Sequence, residues 1–421
     1  MTDMQALGKR AKHAAQHLIR ATTAQKNRAL ESVAAALERQ SHAILTANCV
    51  DLDAARAKGM SEALMDRLSL QTRLPAIIRD LRTVITLPDP VGTTFDERLL
   101  PNGLKVHRRR TPLGVIGVIY ESRPNVTVDV VALALKSSNA ALLRGGSETI
   151  HTNRALIAAI RDGLTADGAL PADAVLFVDS TDRHLIAEML KLHQYIDIII
   201  PRGGASLHQF CRENSTIPVI TGGIGICHIF VDESADLDAA LPVIHNAKTQ
   251  RPSVCNALDT LLVHQAIAES FLPRVVNHLA DSGVTFRAEP RAQAILDSVS
   301  HHGKVHPADA DDFDTEWMSL VLGLKVVDSL DEAIDHIAAH SLNHSDSILT
   351  RDMSHAQRFI NEVDSSAVFV NASTRFNDGG ALGLGAEVAV STQKLHARGP
   401  MALEELTTYK WVIIGENHIR S

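Results

Sequence analysis

The 421-residue sequence predicts an α/β protein of two lobes with a small extra β element. Three observations predict it. From residue 114 onward, short apolar runs alternate with helix-forming segments, as buried parallel strands do with crossover helices. The chain is also long for one core, since single cores stop growing near ~250–300 residues. A hairpin signal at 95–113 and an apolar run at 407–415 stand outside that alternation.

Residues 1–90 are rich in Ala, Leu, Arg and Glu, with apolar residues at helical spacing. "RALESVAAALERQSHAILTANCVDLDAARAKG" reads as a long amphipathic helix, a polar break, and a second helix. These helices are expected to pack on the surface and carry no chemistry. "PNG" at 101–103 reads as the turn of the hairpin. Apolar runs at 115–120, 140–144, 174–179, 195–201 and 228–232 are expected strands. A second series follows at 260–264, 320–327 and 366–371. The tail run 407–415 has no helix after it, so it pairs either with the early hairpin or with another subunit.

Composition excludes several functions. A net charge of −8 argues against a nucleic-acid partner. Arg108, Arg109 and Arg110 form the one dense basic run, too short for a polyanion track. The N-terminus is polar and amphipathic, unlike a signal peptide, and no apolar run reaches the ~20 residues of a bilayer span. The four cysteines form no CxxC pair, so neither a zinc ribbon nor a thioredoxin motif is present. A reduced, cytoplasmic protein without a membrane partner is expected.

The motifs are individually weak. There is no GxGxxG after a strand and no GxxxxGK[ST]. "TGGIGIC" (221–227) and "GGALGLG" (379–385) mean tight turns or close backbone approach, and function is an equal alternative. His336, His340 and His344 would share one face if a single helix ran through them, but "AAHSLNHSDS" is poor helix-forming sequence past His340. No metal site is expected. Cys255 differs from an inert buried thiol. It sits in "TQRPSVCNALD", a polar run before an apolar strand near the lobe boundary, where a cleft nucleophile would be placed.

Taken together, several stretches resemble the aldehyde dehydrogenase superfamily over nearly the whole chain. They are "ESRPNVTVD" (121–129), "IIPRGGASLHQFC" (199–211), "STIPVITGGIGICHIFVD" (215–232), "RPSVCNALDTLLVH" (251–264), "VVDSLDEAIDHIAAHSLNHSDSI" (326–348) and "ASTRFNDGGALGLGAEVAVSTQKLHARGP" (372–400). The closest likeness is to the branch that reduces an acyl phosphate. Leu342 and Ser138 depart from that pattern, at turns rather than at chemistry.

The resemblance implies two Rossmann-like lobes and a β bridging element. Residues 1–94 and 114–228 would form the dinucleotide-binding domain, 229–398 the catalytic domain, and 95–113 with 399–421 the bridging and oligomerisation element. It implies NADPH-dependent reduction of L-glutamyl 5-phosphate to the 5-semialdehyde, in proline biosynthesis. Cys255 would be the nucleophile and Asn125 the oxyanion amide. Ile220 stands where hydrolytic members carry a general-base glutamate, which removes the base and dries the site. Arg123, Arg251, Ser253, Asn371 and Arg375 are the substrate-binding candidates, and for each arginine a structural salt bridge is an equal alternative. Arg144, Ser147, Gly203, Gly204, Gly222, Gly223 and Glu316 are the cofactor candidates, with Arg144 suited to a 2′-phosphate. A homo-oligomer is implied. A transient glutamate 5-kinase partner would suit a labile acyl phosphate. The rival readings are an acylating or hydrolytic aldehyde dehydrogenase for another substrate, and a non-catalytic scaffold.

Overall fold

The computed structural model describes residues 3–420. The chain divides into two compact units, within Met1–Thr221, Gly383–Ala389 and Met401–Ser421, and within Gly222–Leu382 and Val390–Pro400. The break thus falls at Thr221–Gly222, where 228–229 was expected, and residues 383–389 return to the first unit.

The first unit opens with helices α1 (Met4–Leu18), α2 (Thr23–Arg39), α3 (Ser41–Ala57), α4 (Glu62–Leu68) and α5 (Leu74–Thr86). Polar side chains set their starts. Asp3 accepts from the Ala6 N–H, and Thr22 with Gln25 forms a reciprocal capping box. The hairpin β1 (Thr94–Leu99) and β2 (Lys105–Pro112) follows, turning through Leu100–Leu104. Next come β3 (Val115–Tyr120), α6 (Asn125–Lys136), β4 (Ala140–Gly145), α7 (Ile150–Asp167), β5 (Val175–Phe177), α8 (His184–Met189), β6 (Ile198–Arg202) and α9 (Ala205–Asn214). The order β5-β4-β3-β6 is parallel throughout. Every residue of β3 and β4 is buried, as continuous apolar runs require when helices cover both faces.

The second unit holds β7 (Cys227–Val231), α10 (Leu237–Thr249), β8 (Leu258–His264), α11 (Gln265–Ala280), β9 (Thr285–Ala288), α12 (Pro290–Asp297), β10 (Lys304–Pro307), β11 (Val321–Val327), α13 (Leu330–His340), β12 (Ser345–Leu349), α14 (Met353–Glu362) and β13 (Ala367–Val370). Among the described residues they make one seven-stranded sheet, β10-β9-β11-β8-β7-β12-β13, with every pairing parallel. Period-two alternation gives two cores. Ile229, Val231, Leu261 and Val263 pack with Phe271 and Val275 of α11. Phe230, Leu262 and Ile348 pack with Ile334 of α13 and Phe359 of α14 on the other face. A short antiparallel pair, β14 (Val390–Ser391) and β15 (Gly399–Pro400), completes the unit.

The last strand, β16 (Thr407–Ile414), pairs antiparallel with β2 in the order β1-β2-β16. Of the two partners left open for this tail, the hairpin is the one observed. Strands β9, β10 and β12 were not expected. The first two are four residues each and half polar, and β12 begins Ser-Asp-Ser. No helix among the described residues is long and apolar enough to cross a membrane.

Candidate active site

In the first unit the chain runs from β3 outward to β4 and β5, then returns to β6 on the other side of β3. That reversal makes the carboxyl ends of β3 and β6 a topological switch point, where open α/β sheets bind ligands. Three candidate segments meet this edge. After β3, Glu121 Oε2 accepts from the Gly204 N–H at 3.2 Å. A Cβ at Gly203 would lie 2.4 Å from the same oxygen, so the glycine permits the close approach. Glu148 Oε1 accepts from Ser122 N and Oγ at 2.6 and 3.0 Å, holding Ser122 at φ 48°. Ser147 is exposed, and Gly204 caps the start of α9.

Arg144 is 5% exposed at the end of β4. One of its nitrogens reaches the Thr181 carbonyl at 3.4 Å, and its buried Nε has no hydrogen-bond partner among the described residues. Burial holds its pKa below the usual value, against the pull of Glu148 and Glu121. Asn125 is the first residue of α6, and its Nδ2 donates to Asp129 Oδ2 at 2.9 Å. Burial pushes the Asp129 carboxyl up to about 6. Arg123 is half-buried in the turn before Asn125. Ile220 is buried, and its N–H extends the sheet by donating to the Ile199 carbonyl at 2.9 Å.

In the second unit Cys255 lies on the turn between α10 and β8, at the amino edge of the sheet. It is half-buried, with Arg251 exposed and Ser253 half-buried before it. The Cys255 carbonyl accepts from Cys227 Sγ at 3.2 Å. Burial pushes the Cys227 thiol well up, so it stays protonated and able to donate. A Cβ on Gly225 would sit 2.1 Å from that carbonyl, and the Gly225 N–H donates to Glu316 Oε1 at 3.1 Å. Burial raises the Glu316 carboxyl.

Asp259, four residues past Cys255, ties these segments together. Its oxygens accept from Cys227 N at 3.4 Å and Trp317 N at 3.2 Å. Lys248 Nζ stands 3.7 Å from Asp259 and donates to the Leu258 carbonyl at 2.7 Å. Burial pushes Asp259 up to about 6 and Lys248 down to about 8. Neither residue was singled out from sequence. The available signal was an acid inside an apolar strand, "ALDTLLV".

Past β13 the chain folds back along the sheet. Ser347 Oγ reaches the Ala372 carbonyl, Thr374 Oγ1 the Asn256 carbonyl, and Asn256 Nδ2 the Asn377 carbonyl. This return brings Arg375 into the electrostatic field of Cys255, Arg251 and Asp378, while burial lowers its own pKa. Its Nε donates to Gln250 at 3.1 Å. Asn371 is placed otherwise. Both ends of its amide bond the Thr350 backbone at 2.9 Å, at φ 55°, closing the turn after β13. Gly222 and Gly223 differ: a Cβ at the first would meet the Val390 carbonyl at 2.0 Å, and one at the second would meet open space at φ 77°. Helix α13 ends at His340, leaving His344 on the next segment, and among the described residues no group of three or more metal-type ligands forms.

Two units built on parallel sheets, the first with a topological switch point at the ends of β3 and β6, define a doubly wound α/β protein. The chain belongs to the aldehyde dehydrogenase family, whose model matches residues 1–294. Within that family it belongs with the gamma-glutamyl phosphate reductases. It is 56% identical to the one from Roseiflexus castenholzii and 58% identical to one from Escherichia coli, covering 100% and 99% of this chain and 100% of each relative. The crystal structure of the gamma-glutamyl phosphate reductase from Thermotoga maritima superposes with a TM-score of 0.96 at 48% identity, covering 100% of both chains. An acetylating aldehyde dehydrogenase from Geobacillus thermoglucosidasius, 17% identical over 100% of both chains with a TM-score of 0.72, shares the fold.

Proposed function

We propose that this enzyme reduces L-glutamyl 5-phosphate to L-glutamate 5-semialdehyde with release of phosphate, using NADPH, in proline biosynthesis. The observation that carries the reading is Cys255, held on a braced turn with Arg375 coupled to it electrostatically and Arg251 coupled in turn to Arg375. Arg375 favours the thiolate, and it and Arg251 together attract a phosphorylated substrate. The thiolate attacks the acyl carbon. The carbon–oxygen bond to phosphate breaks, phosphate leaves with the electron pair, and a thioester remains on Cys255. The side-chain amide of Asn125 and the Cys255 N–H are assigned to the oxyanion, where one such donor contributes ~2.7–4 kcal/mol. Covalent capture divides one difficult reduction into two easier steps.

The residues of the first unit fit a phosphorylated dinucleotide. The orphaned Nε of Arg144 suits a 2′-phosphate, and the glycines at 203–204 allow close backbone approach. When bound, the reduced nicotinamide supplies a hydride to the thioester carbon. Ser147 lies on the same edge, and Gly222, Gly223 and Glu316 on the amino edge of the second unit are assigned to the cofactor's reactive half. Cys255 leaves as the thiohemiacetal collapses, which regenerates the thiolate. Ile220 brings no carboxylate that could activate water. Arg123 and Ser253 are assigned to the substrate. Asn371 is not, because Thr350 occupies its amide. Strand β16 exposes Tyr409, Trp411, Ile413 and Ile414 and is the surface assigned to a homo-oligomer.

Running the reaction backwards tests the reading. Glutamate 5-semialdehyde and NADP⁺ should yield reduced cofactor only when inorganic phosphate is present. Turnover indifferent to phosphate, or normal turnover by Cys255→Ser, overturns it.

A further inference from the structure

Three carboxylates stand on the rim that carries Asn125, and two of them are engaged in holding backbone. Glu121 accepts from Gly204, and Glu148 accepts from Ser122. Asp129 differs. It lies one helical turn beyond Asn125, and among the described residues the Asn125 amide is the one hydrogen-bond donor to its carboxylate. A half-buried carboxylate with a single neutral donor has acceptor capacity left over. Of the neighbouring charges, Arg202 draws it toward ionisation and Asp80 opposes, with burial the larger influence against the charge.

We propose that Asp129 determines specificity by receiving the α-ammonium group of the acyl substrate, and that its bond to Asn125 holds that amide toward the oxyanion. The inference rests on the function proposed above and names the group by which the substrate is chosen. The geometry closes. With Asn125 Nδ2 donating one hydrogen to Asp129 at 2.9 Å, its second hydrogen faces elsewhere. An acyl oxygen accepting that second hydrogen would stand ~2.9 Å from Nδ2, and so within ~6 Å of the carboxylate. In a glutamyl chain the α-nitrogen is four bonds from the acyl carbon, ~5 Å when extended. An ammonium at that distance reaches a carboxylate in the ~2.8 Å of a charge-assisted hydrogen bond. The same contact gives the carboxylate the cation that its burial otherwise denies it.

The test compares two aldehydes in the phosphate-dependent reverse reaction of the full chain. One is glutamate 5-semialdehyde, and the other is 5-oxopentanoate, which lacks the amino group. Each variant is compared with wild type on the same aldehyde, so the fraction held as a cyclic imine cancels. Asp129→Asn should lower kcat/KM for the amino-bearing aldehyde ~10–100-fold, the size of a hydrogen bond to a charged group. Its loss on 5-oxopentanoate, which has no ammonium to lose, should be at least ~10-fold smaller than on the amino-bearing aldehyde, with Asn at this position still accepting from Asn125 through its side-chain oxygen. Asp129→Glu, which keeps the charge, should retain the wild-type preference for the amino-bearing aldehyde. Equal losses on both aldehydes, or no loss on either, overturn the assignment. Phosphate dependence in the wild type is read in the same experiment, so failure of the proposed function is seen separately.

Discussion

Lys248→Met separates the second unit's buried ion pair from its apolar packing. Lys248 and Asp259 have side-chain exposures of 0% and 3%, with 3.7 Å between Nζ and Oδ1. At an effective dielectric near 20 that separation corresponds to ~4–5 kcal/mol of attraction. Methionine fills much the same volume, so little cavity is added. What is lost is the counter-charge of Asp259 and the donor to the Leu258 carbonyl. Breaking a buried pair from one side costs ~3–5 kcal/mol, and that is the expected loss at pH 7.

The pH dependence carries the diagnosis. An acid whose folded pKa lies above its unfolded value binds its proton more tightly when folded. Its penalty therefore grows as pH climbs from the unfolded to the folded pKa and is constant beyond. In the wild type that growth ends near the Asp259 value of about 6. Without the lysine the folded value rises further, so the variant keeps losing stability past pH 6, at up to ~1.4 kcal/mol per unit. Lys248, pushed down to about 8, remains mostly charged below that pH in the wild type. The gap between wild type and variant should thus widen by ~2 kcal/mol from pH 6 to 7.5. Urea unfolding read by Trp317 fluorescence, in a Trp411→Phe background, measures it beside the affected bond, since the chain has two tryptophans. Adding Asp259→Asn should flatten the pH dependence. A loss under ~1 kcal/mol, or one equal at both pH values, would refute the reasoning.

Three further outcomes are expected. Gly222→Ala should cost ~1–3 kcal/mol of stability in urea, because its Cβ would meet the Val390 backbone oxygen at 2.0 Å. Gly204→Ala, with open space around the new Cβ, should cost less than ~1 kcal/mol at the start of α9. Arg144→Met should raise the KM for NADPH ~10–100-fold and leave the KM for NADH within ~3-fold, measured in steady-state kinetics, if its orphaned Nε serves the 2′-phosphate.

Period and apolarity made most of this fold readable. Strand Val115–Tyr120 carries an unbroken apolar run that suits few environments besides a covered sheet. Strand β12 shows where that signal fails. Ser345, Asp346 and Ser347 are all fully buried, which their polarity does not suggest. Asp346 is satisfied by the His228 N–H at 2.8 Å and the Ser341 hydroxyl at 2.8 Å, and it also accepts from Ser365. Those partners lie on β7 and on the turns before β12 and before β13, so the burial becomes tolerable only once the sheet exists.

The same logic divides the site. Cys255, Asn125 and Glu316 were singled out because stretches resembling the family carry them. Asp259 and Lys248 were missed because their importance lies in what they join. Asp259 bonds the backbone of Cys227 and Trp317, 32 and 58 residues away in sequence. Through Cys227 it steadies the carbonyl of Cys255, and through Trp317 it steadies the neighbouring Glu316. In the proposed reaction the sulfur attacks in one step and leaves in a later one, which calls for a turn held in place throughout. A buried charge pair is a costly way to hold a turn, and a well-packed apolar pair of the same volume would be more stable. It fits this edge because one carboxylate, with an oxygen for each, accepts backbone N–H groups from β7 and from the loop before β11 at once.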